Sequence, residues 1–126
     1  MGHKEQILAL WGAIHHQRWE TVADFFAPGA RILLHNTREQ FTPQEFVRLN
    51  SEYPGDWTIT VERVEELDHL IITVIRTQAG EASLHATSFF QMGEGGRITR
   101  LDEYWGDDGP PPDWRIQRHI GAPIRD

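Results

Sequence analysis

The sequence predicts an α+β protein, in which three helices from the first half lie against the concave face of a cone-shaped, curved antiparallel sheet made mostly by the second half. Three observations lead there. Apolar residues recur at helical spacing near the start of the chain. Near residue 57 the hydrophobic period changes from that of a helix to that of a strand. The breaks between the later apolar runs, at 65–69, 79–81 and 93–96, are short, and breaks of that length join hairpins.

Taken in order, the first helix follows from Ile7, Leu8, Trp11, Ile14 and Trp19, a stripe spread over residues 4–19. Val22, Phe25 and Phe26 predict a second, short helix that stops at Pro28 and Gly29. Residues 31–35, rich in Ile and Leu, read as a first strand. The third helix has the clearest local signal in the chain. Thr42 is placed to be its N-cap, Pro43 takes the first helical position, and Glu45 closes a capping box. This helix is expected to bury Phe46, Leu49, Asn50 and Tyr53 and to end at Pro54 and Gly55. Strands are expected over 57–64, 70–78, 82–92 and 97–105, giving the order α-α-β-α-β-β-β-β. The segment 106–126 holds three consecutive prolines, so a long helix is excluded. Trp114, Ile116, Ile120 and Ile124 are costly to leave in water. The tail is therefore expected to be ordered and extended, docked on its own domain or a partner subunit through Trp114.

At 126 residues the chain reads as one domain spanning 1–126, without repeats. Its formal net charge is −7, and residues 102–113 hold five carboxylates and no Lys or Arg. That balance argues against nucleic acid and anionic membrane as partners. With no cysteine, thiol chemistry is excluded. Gly2 suggests a myristoylation site, but Gln6 stands where Ser or Thr is needed. There is no signal-peptide core and no apolar run of membrane-spanning length, so a cytoplasmic location is expected. Strands 57–64 and 70–78 carry apolar or β-branched residues on both faces, which predicts a homodimer formed by the outer face of the sheet.

The segments DFFAPGARILLHN and GRITRLDEYW, in this order of elements, resemble the nuclear-transport-factor-two-like superfamily, and within it the SnoaL-like (polyketide cyclase-like) branch, related to ketosteroid isomerase and scytalone dehydratase. The resemblance runs from about Glu5 to Trp105, and HNTREQFT, EYPGDW and LDEYWGDDG resemble a subgroup of small bacterial proteins of this kind. It implies a cone with an interior pocket. Isomerases of the superfamily use a carboxylate base on the first strand, and a helix-1 tyrosine with a carboxylic acid on a meander strand. Here the first strand offers Leu34, His35 and Asn36, helix 1 offers Trp11 and His15, and Ser88 stands where the acid would be. Ketosteroid isomerase activity is therefore not expected. SnoaL-like cyclases use an Asp and a His inside the cone, and the resemblance implies Glu103 or Asp102 paired with His85 or His35.

Read from the residues, strand alternation puts Leu101, Glu103 and Trp105 on one face and Asp102 and Tyr104 on the other. A carboxylate in an apolar wall must pair, be protonated or do chemistry. Glu103 is thus the first candidate for proton transfer, assisted by His35 or Tyr53; the alternative is a structural ion pair with Arg76 or Arg63. His35 and Asn36 either line the pocket or cap the loop to Thr42 through local bonds. Asn50 and Tyr53 need polar partners if buried. His85 reads as a structural histidine, and His15 and His16, adjacent on a helix, do not face one metal site. No metal-ligand spacing, phosphate loop or nucleophile elbow is present, so no metal or cofactor is expected. Trp11, Phe90 and Trp105 are the expected pocket walls, with His15, Asn36, Asn50, Ser88 and Leu101 also at the ligand. Five tryptophans allow a ring-stacking site, although bulky aromatics usually fill cores. The expected function is binding of a small apolar or aromatic molecule, with cofactor-free isomerase, cyclase, dehydratase or hydrolase chemistry. The alternative is a non-catalytic binding or dimerisation module.

Overall fold

The computed structural model describes residues 2–125. Helix α1 runs His3–His15 and is followed by the single-turn α2, Trp19–Val22, and a 3₁₀ turn, Ala23–Phe25. Strands β1 (Phe26–Leu34) and β2 (Glu39–Phe41) precede α3 (Pro43–Glu52). The meander follows as β3 (Thr58–Leu67), β4 (Leu70–Ala79), β5 (Ala82–Met92) and β6 (Ile98–Asp107), and a short α4 (Asp113–Gln117) lies in the tail. All strands join one curved, open six-stranded sheet in the order β2-β1-β6-β5-β4-β3. Neighbours are antiparallel except β1 and β6, which run parallel. The α+β cone expected from the sequence is what forms.

The capping box is present as read: Glu45 N–H donates to Thr42 Oγ1 at 3.1 Å and Thr42 N–H donates to Glu45 Oε1 at 2.9 Å. The first helix, by contrast, ends at His15 and does not reach Trp19. Gln17 adopts φ 58°, and two bonds close the end: Gln17 N–H to Ile14 O at 3.1 Å and Arg18 N–H to Ala13 O at 2.8 Å. This is the Schellman arrangement with glutamine in the position usually taken by glycine. The second helix also stops early, and Phe26 already belongs to β1. Pro28 and Gly29 fall inside that strand, where the β1–β6 register slips between Phe26 and Arg31. A proline is tolerated there because the irregular stretch asks for no ladder donor.

Ile7, Leu10, Trp11 and Ile14 of α1 pack on the concave face of the sheet against Ile71, Ile75, Phe90 and Leu101, all buried. Fully burying each such side chain stabilises the fold by about 1.5–3 kcal/mol. A bulge in β3 between Val61 and Arg63 keeps this face apolar. Without its extra residue, the inward phase of Ile59 and Val61 would not carry on to Val64. Among the described residues no helix covers the opposite face. Ile72, Val74 and Phe89 are half-buried there beside Tyr104, which is 46% exposed.

The tail departs from expectation. It contains α4 instead of being extended throughout, and Trp114 is 58% exposed, so it does not anchor the segment on its own domain. Asp108 N–H donates to Ser83 O at 2.9 Å where the chain leaves the sheet, and residues 109–125 are exposed. No helix among the described residues is long and apolar enough to cross a membrane.

Candidate functional site

Between the helices and the concave face lies a cavity of about 400 Å³. Trp11 and Ile14 of α1, Leu34 of β1, Phe46 of α3, and Ile75 and Ala86 of the meander form its buried walls. The exposed Thr37, Glu39, Ser51 and Tyr53 stand at its rim. Four of the five tryptophans line it: Trp11, Trp19, Trp57 and Trp105. Trp57 is fixed by donating from Nε1 to Pro54 O at 2.7 Å and by an edge-on contact with Tyr53, 5.5 Å between ring centroids.

Glu103 faces this cavity from β6, in register with Leu34 on one side and Ser88 on the other. Ser88 Oγ donates to Glu103 Oε2 at 2.9 Å. No Lys, Arg or His pairs with Glu103 among the described residues: Arg76 lies 3.6 Å from Glu62, and Arg63 lies 3.1 Å from Glu65. The structural ion pair weighed from the sequence is therefore not the arrangement found. Burial raises the Glu103 pKa above the ordinary carboxylate value, and the Ser88 hydroxyl offsets only part of that rise. The residue retains some accessible surface, but that surface opens on the cavity, where surrounding protein still disfavours charge.

Beneath the cavity, Trp11 Nε1 donates to Thr73 Oγ1 at 3.2 Å, with both residues buried. Thr73 pairs in register with Ser88, and Ser88 with Glu103, so a polar row crosses three strands of an otherwise apolar face. Sequence reasoning passed over Thr73. Its signal was available, because Thr73 alternates in phase with Ile71 and Ile75 and so shares their buried face.

The structure brings Trp11, Asn50, Tyr53, Glu103 and Trp105 to one cavity. Asn50 donates from Nδ2 to Phe46 O at 2.8 Å. Tyr53 follows α3 and is 52% exposed, so it stands at the rim and is not on a buried helix face. Phe90 and Leu101 are fully buried in the core; Phe90 sits edge-on to Trp11 at 5.9 Å and supports the wall from behind. Ser88 touches Glu103 and lies behind it.

Three expected site residues are elsewhere. His35 is on the convex face: parallel pairing puts Leu34 opposite Glu103, and the next residue on each strand turns away. There His35 stacks on Tyr104 at 4.4 Å, and its Nε2 lies 2.7 Å from Asp102 Oδ1. Asp102 also accepts from Arg100 Nε at 2.8 Å. The Arg100 bond first, and the His35 contact after it, hold the Asp102 pKa below its usual value. His35 therefore cannot assist Glu103 directly. Asn36 clips its loop to β6 through both amide atoms, donating to Trp105 O at 2.7 Å and accepting from Trp105 N–H at 2.9 Å. His15 Nδ1 accepts from Ile59 N–H at 2.9 Å, which ties α1 to β3. His85 lies between Asp108 and Glu62, contacts that raise its pKa, the Asp108 hydrogen bond most strongly. Among the described residues no three His, Asp or Glu side chains converge as metal ligands do.

Several solved structures share this fold. A Kribbella flavida protein with the provisional name ketosteroid isomerase superposes with TM-score 0.79 at 26% identity, covering 97% of this chain and 92% of its own. A nuclear-transport-factor-2-like protein of unknown function from Burkholderia xenovorans gives TM-score 0.78 at 20% identity, with 91% of each chain covered. The chain has the nuclear-transport-factor-2-like cone fold. Also similar is SalBIII, an epoxide hydrolase/cyclase-like enzyme with a role in pyran ring formation in the polyether salinomycin. It has TM-score 0.68 and 15% identity, over 82% of this chain and 90% of its own. Two Shewanella proteins provisionally named SnoaL-like polyketide cyclases share the same cone. No protein-family model and no curated protein sequence matches the chain.

Proposed function

We propose that this protein binds a small apolar or aromatic organic molecule inside the cone and that Glu103 exchanges a proton with it. The chemistry would be of isomerase, cyclase, dehydratase or hydrolase type, without a cofactor. The observation that carries the reading is Glu103 itself: a carboxyl facing an aromatic-walled cavity, hydrogen-bonded to Ser88 and paired with no cation among the described residues. A carboxyl whose pKa is raised by burial holds a proton to higher pH than a free carboxylate does, which suits it to proton transfer. The cavity volume of about 400 Å³ falls within the range of small-molecule sites, roughly 300–1,000 Å³. The cyclase-like and epoxide-hydrolase-like names of similar structures agree with this class of chemistry.

A second reading, binding without catalysis, is favoured by the lining, where Glu39 at the rim is the only other carboxylate and no histidine or lysine stands opposite Glu103. One experiment separates the two. Hydrophobic metabolites are screened by thermal shift, and hits are titrated by tryptophan fluorescence, since four indoles line the cavity. A ligand at 100 times its Kd should stabilise the fold by about 2.7 kcal/mol. If Glu103→Gln retains binding and abolishes turnover of a hit, proton transfer stands; binding without turnover in the parent protein supports the second reading. Absence of any ligand-dependent shift refutes both.

A further inference from the structure

We infer that the molecule taken into the cone carries a basic nitrogen, an aromatic or alkyl-aromatic amine, held with its ammonium group against Glu103 and the indole faces. The inference rests on the ligand-binding reading above and narrows it to one chemical class.

The cavity lacks a cationic side chain. Its lining comes from every helix and strand of the cone except α4, and it includes no Lys, Arg or His. Its titratable groups are Glu39 from β2, Tyr53 after α3, and Glu103 from β6. Gln17, Asn50, Ser51, Thr37 and Thr77 supply the uncharged polar atoms. An anionic ligand would enter a low-dielectric space that offers it no counter-charge and two carboxyl groups, an arrangement that excludes anions. The excess negative formal charge of the whole chain, −7, acts in the same direction.

Several acidic side chains outside the cavity have basic partners. Asp102 meets Arg100 and His35, Glu62 meets Arg76 and His85, Asp108 meets His85, and Glu52 meets Arg48. Glu103, the acid most deeply enclosed among these groups, has a hydroxyl instead. The missing counter-charge has room to arrive from solution, in a space walled by four indoles whose faces attract cations. Trp11 and Trp57 spend their N–H groups on Thr73 and Pro54, which fixes the two rings as walls.

The proton balance is simple. A free-base amine entering the cone takes the proton from the Glu103 carboxyl, leaving an ammonium–carboxylate pair with nothing released. An amine that arrives protonated drives whatever proton the Glu103 carboxyl carries out to solvent, at most one for each amine bound. Ligands with an alcohol in the same place accept or donate a hydrogen bond and move no proton.

The test uses three probes with one skeleton: 4-phenylbutylamine, 4-phenylbutan-1-ol and 4-phenylbutanoate. Binding to the whole chain is measured by calorimetry at pH 7.5 in two buffers of different ionisation enthalpy, and followed by tryptophan fluorescence. The amine should bind about tenfold or more tighter than the alcohol, with the carboxylate weaker than both. Calorimetry should report proton release on amine binding and none with the alcohol. Glu103→Gln should reduce the amine–alcohol difference to within about threefold, while Glu39→Gln, at the exposed rim, keeps most of it. Should Glu103→Gln fail to fold, the wild-type pH series decides: the ratio of amine to alcohol affinity must rise with pH as Glu103 loses its proton. If the alcohol binds and the amine binds no tighter, or the carboxylate binds best, the amine inference is overturned and the cavity reading survives. If none of the three binds, both fall.

Discussion

Replacing Glu103 with glutamine should make the protein more stable at neutral and alkaline pH, by an amount that grows with pH. The folded-state pKa of Glu103 is raised by burial, so the sign follows from linkage. Below the unfolded value, near 4.5, the carboxyl is protonated in both states and pH has no effect through it. Between the unfolded and folded values the native state holds one proton that the unfolded chain has released. Unfolding stability then falls by about 1.4 kcal/mol per pH unit, the slope for a single proton. Above the folded value the slope returns to zero. Glutamine preserves the shape and can still meet Ser88, 2.9 Å from the carboxyl, so the variant should lack this slope and little else. Urea melts of both proteins at half-unit steps from pH 4.5 to 9 give the difference directly. In thermal melts each kcal/mol corresponds to about 3–5 °C for a domain of this size. A flat difference across the range, or a wild type that gains on the variant as pH rises, would refute the claim that its surroundings raise the Glu103 pKa.

Four further outcomes are expected. Ser88→Ala should push the Glu103 pKa higher still, because the Ser88 hydroxyl is the interaction that lowers it; a carboxyl titration by NMR that moves downward would contradict this. Thr73→Val alone should cost about 1–3 kcal/mol by leaving the buried Trp11 N–H without its acceptor. Combining Thr73→Val with Trp11→Phe should cost less than the sum of the single changes, and strict additivity in a double-mutant cycle would show the bond contributes nothing. Truncation after Gly109 should leave the melting temperature within about 2 °C, since nothing in 110–125 is buried; a fall of several degrees would mean that the tail packs on a partner subunit.

Much of the cone was legible because its signals are local. Thr42, Pro43 and Glu45 announce α3 within four residues, and the hairpin breaks announce the meander. Strand β5 has the bounds 82–92 that its apolar run suggests. The misses share a cause: each depends on conformation that leaves no residue-type mark. Gln17 closes α1 with φ 58° although nothing in its chemistry asks for a left-handed backbone. Pro28 and Gly29 look like a stop and lie within β1, since the slip against β6 is a property of the pair of strands. The three-residue β2 exists only because β1 is there to pair with it. The tail's apolar side chains suggested docking, yet among the described residues they find no such surface.

The candidate site separates along the same line. Glu103 could be read from β6 alone, because alternation with Leu101 and Trp105 fixes its face. His35 could not be read from β1 alone, because its face depends on how β1 registers against β6. Once Leu34 is set opposite Glu103, one residue decides the matter: the next pair, His35 and Tyr104, points outward and stacks at 4.4 Å. A slip of one residue in that parallel ladder would have exchanged the faces, putting His35 in the cone and Leu34 outside. The exchange is opposed from both sides of the sheet. Leu34, 7% exposed, would lose its burial, and the Asp102–Arg100 pair would lose its contact with His35. The outer dyad and the inner carboxyl are thus two consequences of one register. The proton chemistry proposed here belongs to the inner one, which alone opens on a cavity.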